Sequence, residues 1–94
     1  MQKHVKIYFT HFHYGEQDVI RCEWCKKIAV DIHHIYPRST GKTFKHNRVD
    51  LDINDIQNLI ALCRACHEDA HAYKLTKGVL WVCHQQTIYG KGIK

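Results

Sequence analysis

Apolar and polar positions in the first third of the chain predict two short strands separated by a turn. Residues 4–12 are rich in β-branched and aromatic types that alternate imperfectly with polar ones, which is typical of a strand. Residues 14–18 are predicted to turn. Residues 28–35 have the composition of a second strand, which ends before Pro37 because the residue before a proline disfavours helical backbone.

The middle of the chain predicts a loop followed by a further strand. Residues 38–55 are polar and charged with no clean period, so they are expected to form a long loop. The short apolar run at residues 59–62 predicts a strand that returns beside the strand at residues 28–35.

The last third predicts one helix and a short apolar segment. Residues 63–77 have the pattern of a helix, which Gly78 is expected to stop. Residues 79–83 are apolar enough for a further strand or a packing segment, and residues 90–94 have the composition of a frayed tail.

The chain length predicts one domain over residues 1–94. With 94 residues its core is small, so a metal staple is physically apt. The sequence holds no apolar run long enough to span a bilayer, and no basic start followed by an apolar segment, so no membrane is expected. A reducing cytoplasm is the expected location, where reduced thiols suit zinc binding.

Four of the five cysteines form two pairs of identical spacing, Cys22 with Cys25 and Cys63 with Cys66. Such a pair can curl around one ion, and two pairs supply the four thiolates of a closed structural zinc site. Disulfides or free buried thiols are the alternatives, but the shared spacing favours zinc, which would tie the two ends of the intervening segment together. Cys83 has no partner of such spacing and is expected to be a small core residue.

Two histidines, His67 and His71, lie four residues apart on the predicted helix. At about 100° per residue they share one side, while Cys63, Cys66 and Ala70 share the neighbouring side, so one helix can serve two metals. Histidines at this spacing are also common on plain helix surfaces. An alternative zinc set replaces one cysteine by a helix histidine: Cys22, Cys25, Cys66 and His71. That set would leave Cys63 without a metal.

The charge of the chain favours a polyanionic partner. Its formal net charge is +5, and four thiolates (−4) on one divalent zinc (+2) would lower this to about +3. Phosphate contacts are expected from basic side chains on the predicted loop and helix: Arg38, Lys42, Lys45, Arg48, Arg64 and Lys74. A plain solvated loop is the alternative, because Asp50, Asp52 and Asp55 dilute its charge.

The order of these motifs resembles the HNH endonuclease family, whose ββα-metal (His-Me finger) fold carries nucleases. The matching stretches are residues 31–35, residues 58–67 and His71, within a motif core at residues 22–71 that covers about half the chain. The resemblance implies an α+β fold with a ββα-metal core, a structural zinc site of four cysteines and flanking strand-like segments.

Carried onto this sequence, the resemblance makes His34 the general base and His33 a metal ligand, with His67 and His71 completing the ligand set. Alternation along a strand supports the split, because neighbouring side chains point to opposite faces. Asn58 matches the asparagine that names the family. That position ligates the metal in some members and holds the catalytic loop in shape in others, and the three histidines already available favour the second role here.

The implied reaction is metal-assisted hydrolysis of a DNA phosphodiester. His34 would take a proton from the attacking water, while one divalent cation polarises a phosphate oxygen and stabilises the departing 3′ oxyanion. Many relatives have an aspartate where this chain has His33, and imidazole suits Zn²⁺, Ni²⁺ or Mn²⁺ better than Mg²⁺. The catalytic ion is therefore expected to be one of these four.

DNA is the expected partner, and double-strand cutting would need two active sites, from a homodimer or with a partner protein. The competing interpretation is a non-catalytic, zinc-stapled module of the same fold that binds nucleic acid or protein. Retention of His34 together with both helix histidines favours the enzyme.

Overall fold

The structure is a computed structural model that describes residues 2–90. Within this range it contains three helices and two small antiparallel sheets, so the expected α+β class is confirmed. In chain order the elements are α1 (Lys3–His11), β1 (Asp31–His34), β2 (Thr43–His46), β3 (Val49–Asp52), β4 (Leu59–Leu62), α2 (Arg64–His71) and α3 (Lys77–Tyr89). Short 3-10 turns occupy Arg38–Thr40 and Ile56–Asn58.

The central sheet pairs β1 with β4 and divides the core into two clusters. Its register sets Ile32 opposite Ala61 and His33 opposite Ile60. Every residue of β4 is buried, and its side chains alternate between the two sides as they must along a strand. Ile60 and Leu62 pack with three of the paired cysteines and α3, whereas Leu59 and Ala61 pack with Ile32 and α1.

The strand predicted at residues 4–12 is wrong, because this segment forms the helix α1. Its buried residues His4 and Tyr8 lie four positions apart, and Val5 and Phe9 repeat that interval against the same cluster. Four-residue spacing aligns side chains on one helix face. Burial of this face outweighs the strand preference of the β-branched and aromatic residues.

The long loop predicted at residues 38–55 is also wrong, since the hairpin of β2 and β3 lies inside it. Phe44 pairs with Leu51 on its inner side. The two turn residues, Asn47 and Arg48, have φ values of 49° and 66°. Positive φ at both central positions matches the twist of paired strands, but the usual sequence signal is Asn followed by Gly, so Asn-Arg conceals the turn.

The single helix predicted at residues 63–77 is wrong. This segment contains α2 and the first residue of α3, and Gly78 lies inside α3 instead of ending a helix. α2 ends at His71, and α3 begins at Lys77 after Thr76, whose hydroxyl accepts a hydrogen bond from the Val79 N–H at 3.3 Å. A threonine in this position is a typical helix N-cap. The predicted strand-like flank at residues 79–83 therefore belongs to α3.

A buried polar network ties the first cysteine pair to the rest of the fold. Glu23, between Cys22 and Cys25, accepts a hydrogen bond from the Tyr8 hydroxyl at 2.6 Å and lies 2.7 Å from Nδ1 of His84. Nε2 of His84 donates to the Ile56 carbonyl at 2.6 Å. Since buried polar groups are costly without partners, this network fixes the cysteine loop against α1 and α3.

Within residues 2–90, none of the helices is long and apolar enough to cross a membrane. Gly90 caps α3, and the remainder of the predicted frayed tail, residues 91–94, lies outside the described residues.

Candidate active site and metal centres

The four paired cysteines converge on one point. Their sulfur atoms all lie within 4.8 Å of one another, and the sulfurs of Cys25 and Cys63 are 3.5 Å apart. All five cysteines are free thiols, and no disulfide joins any pair in the described chain, which includes every cysteine. Four thiolates this close together are the donor set of structural zinc, so the residues fit that ion.

The backbone around the two cysteine pairs donates hydrogen bonds to this cluster. Burial alone would raise the pKa of Cys22, but hydrogen bonds from the backbone around Cys25, Cys63 and Trp24 outweigh it and lower the pKa to about 7. Burial, followed by hydrogen bonds among the thiols, raises the pKa of Cys66. The Cys22 thiol therefore ionises more readily than the Cys66 thiol. Because zinc binds thiolates, metal binding must release protons from the cluster.

A second cluster forms where β1 meets α2. His33 from the strand and His67 and His71 from the helix each offer a ring nitrogen, and these atoms lie within 4.8 Å of one another. The Nε2 atoms of His67 and His71 are 3.0 Å apart. Consecutive turns of α2 align its two histidines, as their four-residue spacing predicts, and β1 supplies the third.

The surroundings of His33 favour the neutral form of its ring. Burial, and then the proximity of His67 and His71, lowers the pKa of His33 to about 4. At neutral pH its imidazole is therefore unprotonated and able to ligate a cation. Three close imidazoles are the donor chemistry of a transition-metal site and a poor match for Mg²⁺ alone.

The carboxylate of Asp31 lies beside the ring of His67. Oδ2 of Asp31 lies 3.6 Å from Nδ1 of His67, on the side of the ring away from the cluster. A proton held at Nδ1 leaves Nε2 free to ligate, and such outer carboxylates orient ligating histidines. Asp31 was not among the sequence-predicted site residues, although it lies two residues before His33 on the same strand.

We expect Asp31→Asn to weaken cation binding at the histidine cluster by about tenfold to a hundredfold, because the amide is a weaker partner for His67 than a carboxylate. Titration with Co²⁺ or Ni²⁺, followed by the visible absorption of the bound ion, measures this affinity. Asp52→Asn, an exposed aspartate of β3, is the matched control. Equal affinity in the two variants would show that Asp31 does not support the cluster.

His34 points to the opposite side of β1 from His33, as alternation along a strand predicts. Its Nε2 lies 2.8 Å from Oδ1 of Asn54. Its ring lies 4.5 Å from that of His4 on α1, centroid to centroid. Burial, and then nearby His34 and Arg38, lowers the pKa of His4, so a neutral ring packs beside His34.

Asn58 is fully buried and all of its bonds go to the backbone. Its Oδ1 accepts from the Tyr36 N–H at 2.7 Å, and its Nδ2 donates to the carbonyls of Tyr36 and Ile53 at 3.0 and 2.8 Å. These three bonds join the end of β1 to the segment before β4. Of the two roles open to this residue, its geometry fits that of holding the loop in shape.

Two clefts meet at the histidines and share His33, His34, Pro37 and His71 in their walls. One has a volume of about 370 Å³ and also contains Arg38. The other has a volume of about 300 Å³ and extends toward the connection between α2 and α3. A larger cavity, of about 560 Å³, lies between α1, the first cysteine pair and α3, away from this chemistry.

The predicted phosphate contacts are placed unevenly. In the described part of the chain, Arg38 is the one member of that set that lines a cleft at the histidines. Lys45 lies 3.6 Å from Asp50 across the hairpin, so its charge is partly balanced. The remaining members are exposed on the hairpin and at the ends of α2: Lys42, Arg48, Arg64 and Lys74.

Sequence reasoning missed the partners of the predicted histidines, namely His4, Asp31 and Asn54. Their contacts depend on how α1 and the segment before β4 pack, and no motif spacing records that packing. Asp31 had the clearest signal, a carboxylate two residues before a predicted ligand.

Comparison with known proteins identifies the family of the chain. A family model described as HNH endonuclease matches residues 9–76. The chain therefore belongs to the HNH endonuclease family, a nuclease-type family, as the resemblance in its sequence indicated.

A curated relative is the mitochondrial DNA mismatch repair protein mutS homolog of Sarcophyton glaucum. It is 34% identical to this chain over 55 residues, which are 58% of this chain and 5% of the relative. The chain thus spans a small part of that protein's length. No solved structure matches the chain significantly.

Proposed function

We propose that this chain is a metal-dependent endonuclease that hydrolyses DNA phosphodiester bonds, with a ββα-metal core formed by β1, β4 and α2. The observation that carries the proposal is the division of labour on β1: His33 joins a three-histidine cluster while His34, one position along, is oriented by Asn54. A cation-binding cluster and a separately oriented base, both opening on shared clefts, are the parts that phosphodiester hydrolysis requires.

His34 acts as the general base in this proposal. Because the Asn54 carbonyl oxygen accepts, the proton of the neutral ring is held at Nε2, and Nδ1 keeps its lone pair. That nitrogen takes a proton from the water that attacks phosphorus. The ring of His4 packs against His34 and limits its rotation.

The catalytic cation would be held by His33, His67 and His71, and imidazole ligands fit Zn²⁺, Ni²⁺ or Mn²⁺ better than Mg²⁺. When bound, a divalent cation supplies positive charge that polarises the phosphate and stabilises the developing 3′ oxyanion. The chain itself contributes Arg38, whose guanidinium lies in the same cleft and neutralises a neighbouring phosphate.

The cysteine cluster is proposed to hold a structural zinc that keeps β4 and α2 in place. DNA as substrate is supported by the family and by the relative, whose name is that of a DNA mismatch repair protein. With one histidine centre in the described chain, single-strand nicking is the expected outcome, and double-strand cutting would need a second copy or a partner protein.

A plasmid-nicking assay tests the proposal. Purified zinc-loaded protein is incubated with supercoiled plasmid and Mg²⁺, Mn²⁺, Ni²⁺ or Zn²⁺, with EDTA as control. We expect relaxed circles to form with at least one of the transition ions. Folded protein that cleaves with none of the four would favour a non-catalytic binding module.

Asn54 provides a sharper test of how His34 is held. We expect Asn54→Ala to lower kcat by about tenfold to a hundredfold, because the ring loses the acceptor that fixes its tautomer. Asn54→Asp should retain activity and move the acid limb of the pH–rate profile to higher pH, since a carboxylate stabilises the protonated ring.

Single-turnover cleavage across pH 5–9 separates this role from a merely structural one. A uniform loss in both variants, with no displacement of the pH profile, would contradict the orienting role of Asn54.

A further inference from the structure

The connection after α2 places a tyrosine where helices ordinarily place glycine. With Ala72 as the C-cap of α2, the Tyr73 N–H bonds to the Ala70 carbonyl at 3.2 Å and the Lys74 N–H to the Asp69 carbonyl at 2.8 Å. This pair of bonds is the Schellman motif that ends many helices. The motif requires a left-handed residue after the cap, and Tyr73 has a φ of 62°.

This position is unfavourable for tyrosine, and packing does not offset the strain. A bulky aromatic residue with positive φ is strained, whereas glycine adopts the same backbone freely. The Tyr73 side chain is 81% exposed, so its ring buries little surface in return. The Tyr73 ring therefore contributes little to the packing of the fold, and its face is open to solvent.

The ring borders the second cleft of the active site. That cleft, of about 300 Å³, is lined by Tyr73 together with Ser39, Lys77 and the active-site residues His34 and His71. Lys77 is itself a lining residue, and its Nζ lies 5.3 Å from the centroid of the Tyr36 ring. The cleft therefore combines an exposed aromatic face, a cation and a hydroxyl beside the proposed catalytic residues.

The other cleft at the histidines contains Arg38. Its described lining residues include no tyrosine, phenylalanine or tryptophan. The two clefts share the histidines, so a strand whose scissile phosphate lies at them extends into both. One flank meets a guanidinium suited to phosphate, and the other meets an aromatic face suited to a base.

We propose that the Tyr73 cleft binds one unpaired nucleobase next to the scissile phosphate, with the base stacked on Tyr73 and the adjoining phosphate near Lys77. The inference rests on the proposed nuclease function and narrows its substrate to DNA with an unstacked base at the cleavage site, such as a single strand or a bulge. Stacking on an aromatic ring needs a free base face, which a paired duplex does not offer.

The test measures binding rather than cleavage, in the His34→Ala background with the activating ion of the nicking assay, or Mn²⁺ if that assay finds none. Fluorescence anisotropy gives the Kd for a labelled duplex with a single-nucleotide bulge, for the same duplex with an abasic residue in the bulge, and for the fully paired duplex. We expect Tyr73→Gly to weaken binding to the bulged duplex by about tenfold and to leave the other two unchanged.

Control variants separate stacking from folding. Tyr73→Phe should bind the bulged duplex like the parent, and Tyr73→Gly should unfold at the same temperature as the parent or higher, because glycine suits the left-handed position. Tyr89→Ala removes another exposed tyrosine, 70% exposed at the far end of α3. It should leave binding to all three duplexes unchanged.

The results decide the proposal whether or not the protein cleaves DNA. Equal affinity of Tyr73→Gly and the parent for the bulged duplex would overturn it. So would an equal loss on the bulged and abasic duplexes, which would mean that Tyr73 contacts the backbone or holds the cleft in shape. Intact, Tyr73-dependent bulge binding by a parent protein that cleaves neither the plasmid nor the bulged duplex would refute the nuclease function and keep the base-binding cleft.

Discussion

Substitution of His34 by alanine is expected to lower the rate of DNA cleavage by about a hundredfold to ten-thousandfold, the range that a positioned general base contributes. The imidazole removed is the one oriented by Asn54, and no other described residue shares that bond. The ligand set of the adjacent cluster does not include His34, so cation affinity should change little. Single-turnover cleavage and metal titration measure the two quantities on the same preparation.

The matched control for this substitution is His13→Asn. His13 is exposed, lies outside both clefts at the active site and has a φ of 62°, which asparagine tolerates. It should cleave at the parental rate. A His34→Ala enzyme that cleaves as fast as this control would show that another group takes the proton.

Loss of Cys25, a proposed zinc ligand, is expected to unfold the domain. Binding of structural zinc by such sites contributes about 10–16 kcal/mol, comparable to or greater than the whole stability of a domain of ordinary size. Cys25 is exposed, so Cys25→Ser removes a ligand without opening a cavity in the core. We expect zinc content to fall from one ion per chain, and the cooperative thermal transition seen by circular dichroism to disappear.

Cys83→Ser is the control that distinguishes loss of a proposed zinc ligand from loss of a thiol in general. Cys83 is half-buried, and its thiol donates to the Glu23 carbonyl at 3.5 Å without belonging to the cysteine cluster. A serine hydroxyl can make the same bond, so this variant should keep its zinc and its transition. If Cys25→Ser is as stable as Cys83→Ser, the cysteine cluster does not staple the fold.

The metal-type residues were predictable because their spacing is local. Two residues between paired cysteines and three between the helical histidines bring these side chains close within one turn of the chain, whatever the remainder does. The structure brings these groups together as two clusters, and His71 joins the histidines rather than the alternative zinc set. The strand that carries His33 and the strand at residues 59–62 also lie where the apolar runs predicted them.

The flanking helices were not predictable in the same way. α1 is composed of residues that favour strands, and it is helical because His4 and Tyr8 bury one face against β1 and β4. α3 buries Leu80, His84 and Ile88 at four-residue intervals, a pattern hidden by the glycine at its second position. Tertiary packing overrode local preference in both cases.

The contacts that support His34 come from segments whose structure was predicted wrongly. His4 reaches His34 only because residues 3–11 are helical, and Asn54 reaches it only because the turn after the hairpin brings it there. No periodicity in the sequence encodes either contact. The residues with expected chemistry could thus be named from the sequence, while those that orient them required the fold.

The central claim, hydrolysis of DNA by this histidine site, is tested most directly by the chemistry of the nicks. Plasmid nicked by the parent is repurified and treated with DNA ligase, and the His34→Ala protein is run in parallel. The account predicts that ligase reseals the parental nicks, because departure of a 3′ oxyanion leaves a 3′ hydroxyl and a 5′ phosphate, and that His34→Ala makes few nicks. Nicks that ligase does not reseal, or that form equally with His34→Ala, would contradict it.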